Sequence, residues 1–116
     1  MKIVIYHNPR CSKSRQTLTL LLERGIDPET VKYLDTPPSH QELDSILRGL
    51  NMEPRQLMRT KEAEYKELGL DDDALTRNQL IEAMITHPKL IERPIVVAGD
   101  QVALGRPPEA VLEILP

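Results

Sequence analysis

Lys2-Ile3-Val4-Ile5-Tyr6-His7-Asn8-Pro9-Arg10-Cys11-Ser12-Lys13-Ser14-Arg15 is the stretch that decides the fold, and it holds the chain's only cysteine. The apolar run from Lys2 to Tyr6 reads as a buried strand. Ser14-Arg15-Gln16-Thr17-Leu18 and onward reads as a helix. Cys11 therefore belongs to a strand-to-helix turn, where unpaired backbone N–H groups and the helix dipole favour negative charge. Such a place lowers a thiol's pKa and favours the thiolate, the nucleophilic form. His7, Arg10, Lys13 and Arg15 lie within four residues of Cys11 and add positive potential. A lone cysteine is otherwise an inert small hydrophobe; the turn and its cations favour reactivity instead.

The rest of the composition narrows the function classes. A chain of 116 residues is expected to form a single domain with a real core. Its net charge is −3, with 28% charged residues, no Phe, no Trp and three Tyr. There is no basic tract and little to stack on bases, so no nucleic-acid binding is expected. One cysteine excludes an internal disulfide, a multi-cysteine metal site and a CxxC couple. His40 and His87 fall at helix ends without ligand spacing, so no metal is expected. No apolar run approaches the ~20 residues that span a bilayer. The strand pattern begins at once, leaving no signal peptide. A reducing cytoplasm and a monomer are the expectation.

Working outward, Leu18, Leu21 and Leu22 mark the apolar face of the first helix, and Gly25 stops it. Val31 to Leu34 reads as a second strand, so a right-handed βαβ unit is expected. Asp35-Thr36-Pro37-Pro38 breaks the pattern. Ser39 to Glu42 is S-x-x-E, a capping box before Leu43, Ile46, Leu47 and Leu50. A short helix is expected at Pro54, another from Glu62 to Leu68, ended by Gly69. Thr76 to Gln79 is a second capping box, opening a helix that stops at His87-Pro88. Ile95 to Ala98 and Val102 to Leu104, split by Gly99-Asp100-Gln101, read as an antiparallel hairpin. Pro107 and Pro108 then open a last helix with Val111, Leu112, Ile114 and Leu115. The order β-α-β, helices, β-β-α resembles the thioredoxin-like fold: an α/β architecture with a four-stranded mixed sheet, flanking helices, and here a helical insertion over about residues 39–90. That fold places a cis-proline before its third strand, facing the cysteine. Pro94 takes that position, which sets Arg93 beside Cys11.

Arg59, Arg93 and Arg106 fall in three separate segments, each beside a strand or helix boundary. Arginine is always charged and its planar fork suits tetrahedral oxyanions. Their convergence does not follow from composition; it rests on a resemblance. Tyr6-His7-Asn8-Pro9-x-Cys11-x-x-Ser14-Arg15-x-Thr17 is similar to the N-terminal signature of the glutaredoxin-coupled arsenate reductases. Tyr33-Leu34 with Pro37-Pro38, Leu57-Met58-Arg59-Thr60-Lys61 through Leu70, His87-Pro88 through Val97, and Gly105-Arg106-Pro107-Pro108-Glu109 continue the likeness in order along the chain.

The resemblance implies a nucleophile at Cys11, with His7, Ser14 and Arg15 completing the catalytic set. It implies three oxyanion-binding arginines, Arg59, Arg93 and Arg106. Arsenate is then reduced to arsenite through a Cys11 adduct, with glutathione as co-substrate, glutaredoxin as partner and no bound cofactor. Cys11-x-x-Ser14 offers no second thiol, in keeping with an external one. Two roles for His7 stay open: a positive charge that acidifies Cys11, or a hydrogen bond within the turn. Ser14 either donates to the thiolate or caps the helix. There are departures too. The longer reductases carry a C-terminal tail beyond the equivalent of Pro116, and Arg10 replaces a commonly small residue. Other readings of the same Cys11 are a monothiol glutaredoxin-like oxidoreductase and an RNA-polymerase-binding regulator of the same family. The Cys-x5-Arg loop of the phosphatase-like reductases does not fit, because Thr17 stands at the arginine's place.

Overall fold

A computed structural model describes all residues, 1–116. The chain divides into two compact units, one made of Met1–Thr36 with Arg93–Pro116, the other of Pro37–Glu92. The first unit carries the sheet. Its strands are β1 (Ile3–Tyr6), β2 (Glu29–Val31), β3 (Ile95–Ala98) and β4 (Gln101–Leu104), in spatial order β2-β1-β3-β4. β1 runs parallel to β2 and antiparallel to β3, and β3 and β4 form the antiparallel hairpin. This is the mixed four-stranded sheet of the thioredoxin-like fold.

Helix α1 (Ser12–Glu23) crosses between β1 and β2, as a parallel pair requires. Ile3, Ile5, Leu21, Val96, Ala98 and Val111 make the buried core of this unit, with Leu18, Leu20, Ile26 and Ile114 packed against it. The helix is rotated from its expected face. Ser14, Thr17 and Leu21 point inward, whereas Leu22 is 54% exposed. Two polar side chains can line the inner stripe because both are bonded; Thr17 Oγ1 donates to the Lys13 carbonyl at 2.8 Å. At the helix's other end Gly25 takes a φ of +76°, the left-handed conformation that ends a helix cheaply only at glycine.

Two elements depart from expectation. The second strand occupies Glu29–Val31 rather than residues 31–34. Its partner sets its length: Tyr6 pairs with Val31, His7 N–H donates to the Val31 carbonyl at 2.8 Å, and β1 has then ended. Beyond Val31 the chain turns back on itself, Asp35 and Thr36 donating to the Lys32 carbonyl, and Tyr33 is buried from that turn. The last helix is a 3-10 segment, Pro108–Ile114. Its inward residues Pro108, Val111 and Ile114 recur every third position, the period of a 3-10 stripe.

The second unit is helical: α2 (His40–Leu50), α3 (Pro54–Leu57), α4 (Ala63–Glu67) and α5 (Arg77–Thr86), with a 3-10 turn at Pro88–Leu90. Both capping boxes form. Ser39 and Glu42 exchange side-chain and backbone bonds at the start of α2, and Thr76 and Gln79 do so at α5. Leu43, Ile46 and Leu47 of α2 and Leu80, Ile81 and Met84 of α5 are buried, and Asp44 of α2 accepts from Arg77 of α5 at 2.8 Å. Leu57 and Met58 lie alongside residues 90–92: Met58 and Ile91 form a β-bridge, and Arg59 N–H donates to the Leu90 carbonyl at 2.7 Å. No helix is long and apolar enough to cross a membrane.

In the first unit the peptide bonds Arg93-Pro94 and Arg106-Pro107 are cis; only the first was expected. Gly105, between them in space, is buried and donates to the Pro94 carbonyl at 2.8 Å. A Cβ there would lie 2.6 Å from Thr17 Oγ1 and 2.7 Å from Pro94 Cγ. Neither neighbour can swing away, because Thr17 is bonded to its own helix and Pro94 is a ring. Gly105→Ala should therefore destabilise the protein by about 1–3 kcal/mol through overpacking. A urea midpoint equal to the wild type would show that α1 and the Pro94 turn are not packed through this glycine.

Candidate active site

Cys11 is the N-cap residue of α1, with extended backbone angles (φ −99°, ψ 125°). Its own carbonyl already accepts the first helical bond, from Arg15 N–H at 3.0 Å, and its N–H donates to the Asn8 carbonyl at 3.0 Å. The sulfur thus stands where a Ser or Asp cap oxygen normally stands, over the unpaired N–H groups of the first turn. No cap hydrogen bond closes onto the neutral thiol, so the pull is felt by the thiolate.

Burial pushes the Cys11 thiol up. Four opposing effects outweigh it: the Ser14 N–H, the Arg93 charge, the Lys13 N–H and a hydrogen bond from the Arg93 side chain. The net effect lowers the Cys11 pKa from the ordinary value. The acidity therefore comes from the helix N-terminus and from Arg93, not from the histidine. His7 is 6% exposed and its pKa is lowered, first by burial, then by the charges of Lys32 and Arg15. It stays neutral and bonds Ser14 Oγ through Nδ1 at 2.6 Å. Of its two open roles, the hydrogen bond is the one the geometry serves. Ser14 differs from both of its expected roles. Its hydroxyl bonds His7 and accepts from Asn8 N–H at 3.0 Å, while its backbone N–H faces the sulfur.

The remaining turn contacts are structural. Asn8 Oδ1 accepts from Arg10 N–H at 3.0 Å, an Asx-type turn that brings the chain round to Cys11. Arg15 Nη1 donates to the Pro9 carbonyl at 3.0 Å. Arg15 thereby clamps the loop before the cysteine to the first turn of α1. Sequence spacing did not reveal this clamp, nor the close approach at Gly105. A groove of about 490 Å³ runs along the outer face of α1, lined by Ser12, Arg15, Gln16, Thr19, Leu20 and Glu23, and excludes Cys11.

Of the three arginines, the first unit contains two, and they are linked: Arg106 Nε donates to the Arg93 carbonyl at 2.9 Å. Arg93 addresses the sulfur with its side chain while its backbone anchors Arg106. Arg93 thus sets positive charge beside the thiol, and Arg106 is anchored to the backbone of the same residue. Arg59 belongs to the second unit, where Glu62 and Glu92 flank it. No group of three or more His, Cys, Asp or Glu side chains is placed to hold a metal ion.

Two measurements check this account. The alkylation rate of Cys11 against pH should titrate below free glutathione in the same assay, and Arg93→Ala should move the midpoint up; equal midpoints for both proteins would remove Arg93 from the thiol's surroundings. His7 has a folded-state pKa below its unfolded value of 6.5, so the unfolded chain takes up the extra proton. Its contribution to stability is complete above the unfolded pKa and is lost as pH falls toward the folded one. Urea midpoints from about pH 7.5 to about pH 5 should therefore drop more in wild type than in His7→Gln. Identical pH slopes would mean that His7 titrates alike folded and unfolded.

Residues 6–114 match the ArsC family. The chain is 52% identical to the arsenate reductase of Haemophilus influenzae, over 99% of this chain and all of that one. It is 56% identical to the uncharacterized Escherichia coli protein YfgD, over 98% of this chain and 97% of that one. A solved structure of an arsenate reductase from Vibrio cholerae superposes with a TM-score of 0.95 at 57% identity, covering 99% of this chain and 98% of that one. With the mixed sheet, the N-capping cysteine and a match over nearly its whole length, the chain belongs to the ArsC family, the glutaredoxin-coupled arsenate reductases of thioredoxin-like fold.

Proposed function

We propose that this enzyme reduces arsenate to arsenite through a covalent adduct on Cys11, taking its electrons from glutathione with glutaredoxin as partner. The observation that carries the reading is the position of Cys11 as N-cap of α1, over the first-turn N–H groups, with the Arg93 charge lowering its pKa. A thiolate does not approach an anion unaided. Arg93 and Arg106, joined by Arg59 as the family resemblance implies, offset the oxyanion's charge so that the sulfur can attack arsenic. An S–As bond forms, an As–O bond breaks, and the oxygen leaves as water after taking up protons. Arsenic is still pentavalent at that point.

Reduction needs two electrons. Two glutathione thiols supply them and end as a disulfide, so arsenate and two glutathiones give arsenite, glutathione disulfide and water. The chain's single cysteine accounts for the need for an outside thiol. In this reading Cys11 is the nucleophile, and Arg59, Arg93 and Arg106 bind substrate. His7, Ser14 and Arg15 hold the turn that aims the sulfur, so they act as positioning residues. The protein works as a monomer in a reducing cytoplasm, the compartment that keeps both thiols reduced.

Supplying arsenate, glutathione and glutaredoxin and measuring arsenite is the test. Cys11→Ser should abolish turnover, and Arg93→Ala should lower kcat about a hundred-fold, as expected for loss of one oxyanion donor. Arsenite made by Cys11→Ser would end the proposal. So would a wild type that leaves arsenate untouched and reduces glutathione mixed disulfides, which is the behaviour of the monothiol oxidoreductase.

A further inference from the structure

We propose that Glu62 is a positioning residue for Arg59. It holds the guanidinium from one side, with Lys89 as its counter-ion, so that the rest of the fork is presented to the substrate anion. The inference rests on the reading above, in which Arg59 binds the oxyanion. It assigns a role to residues outside that reading.

Glu62 Oε1 lies 3.0 Å from Arg59 Nη1, and its other oxygen lies 3.5 Å from Lys89 Nζ. Glu62 is the N-cap residue of α4, a position from which an acidic side chain ordinarily accepts a bond from the first turn. It makes no such bond. The carboxylate is turned away from its helix toward Arg59 and Lys89, and a cap forgone for an ion pair is a local cost that points to function.

The backbone makes the arrangement rigid. Arg59 N–H is tied to the Leu90 carbonyl, Glu92 N–H donates to the Leu57 carbonyl at 2.9 Å, and Glu62 N–H donates to the Arg59 carbonyl at 3.1 Å. Across this short ladder Glu92 Oε1 comes within 4.0 Å of Arg59 Nε. Glu62 and Glu92 thus engage Nη1 and Nε, which leaves donors at Nη2 to be aimed elsewhere; a guanidinium has five N–H groups in a fixed fork. Arg59, Glu62 and Glu92 are each about three-quarters buried, at 28%, 20% and 26% side-chain exposure, so these pairs are less screened than surface ones. Uncompensated carboxylates beside Arg59 would repel an anion bound to it. Lys89, bridging Glu62 and Glu64 at 3.5 and 3.6 Å, reduces that repulsion.

Pre-ordering a long side chain removes an entropic cost from ligand binding. Its loss should appear in affinity, not in chemistry. In Cys11→Ser protein, which forms no adduct, calorimetric titration with arsenate should show about five-fold weaker binding on adding Glu62→Ala. In the otherwise wild-type enzyme, Glu62→Ala should raise KM for arsenate by a similar factor with kcat nearly unchanged. Glu62→Gln, which keeps an acceptor at the same distance and preserves shape, should recover most of the loss. In an Arg59→Ala background, Glu62→Ala should change nothing further. Unchanged or tighter arsenate binding by both Glu62 variants, with Arg59→Ala still weakened, would overturn this role and mark Glu62 as a bystander or a competitor of the substrate. Full affinity in Arg59→Ala would instead sink the assignment of Arg59 itself.

Discussion

The 2.6 Å bond between His7 and Ser14 is the contact on which the rest of the thiol's surroundings depend. It ties the residue that follows β1 to the third residue of α1, and both are almost wholly buried. Asn8 N–H adds a second bond to the same hydroxyl. Between these two anchors the chain has only the loop from Asn8 to Lys13 in which to turn, and Cys11 falls at its helical end. The sulfur is therefore set over the Lys13 and Ser14 N–H groups by bonds it does not itself make. A buried neutral histidine suits this task, since a charged one would add desolvation cost beside Lys32 and Arg15.

Positive potential reaches the thiol by two physically different routes. The helix N-terminus supplies N–H dipoles fixed in the backbone, which need no counter-ion and no side-chain ordering. Arg93 supplies full charge, and its carbonyl in turn holds Arg106. Gly105 underlies the second route. Only a residue without a Cβ lets the end of β4 approach both Thr17 of α1 and the Pro94 turn. In this way α1 and the segment that carries Arg93 share one small contact, and the spacing between nucleophile and cation is set by backbone rather than by flexible side chains.

Arg59 is held by a different logic. Its neighbours are carboxylates and a lysine on a strapped pair of segments, so its orientation is fixed by ion pairs in the helical unit. Ion pairs of this kind fix the direction of a long side chain at the cost of its rotamer freedom, and Lys89 balances part of the carboxylate charge.

Much of this was legible in the chain itself. Ile3 to Tyr6 and Ile95 to Ala98 declared strands by apolar run, S-x-x-E and T-x-x-Q declared two helix starts, and Gly25 and Gly69 declared two ends, because those signals act over a few bonds. The cysteine's place at a helix start followed from the same local reading. Local rules failed where a partner decides: β2 ends at Val31 because β1 ends opposite it, α1 turns Ser14 and Thr17 inward because His7, Asn8 and the Lys13 carbonyl satisfy them, and the last helix tightens to fit its every-third-residue stripe. The sequence determined where the single cysteine and its neighbouring cations fall and which elements bear them. Tertiary structure alone decided the neutrality of His7, the task of Ser14, the clamp by Arg15 and the company of Arg59, since burial, ion pairing and hydrogen-bond partners depend on residues far apart in the chain.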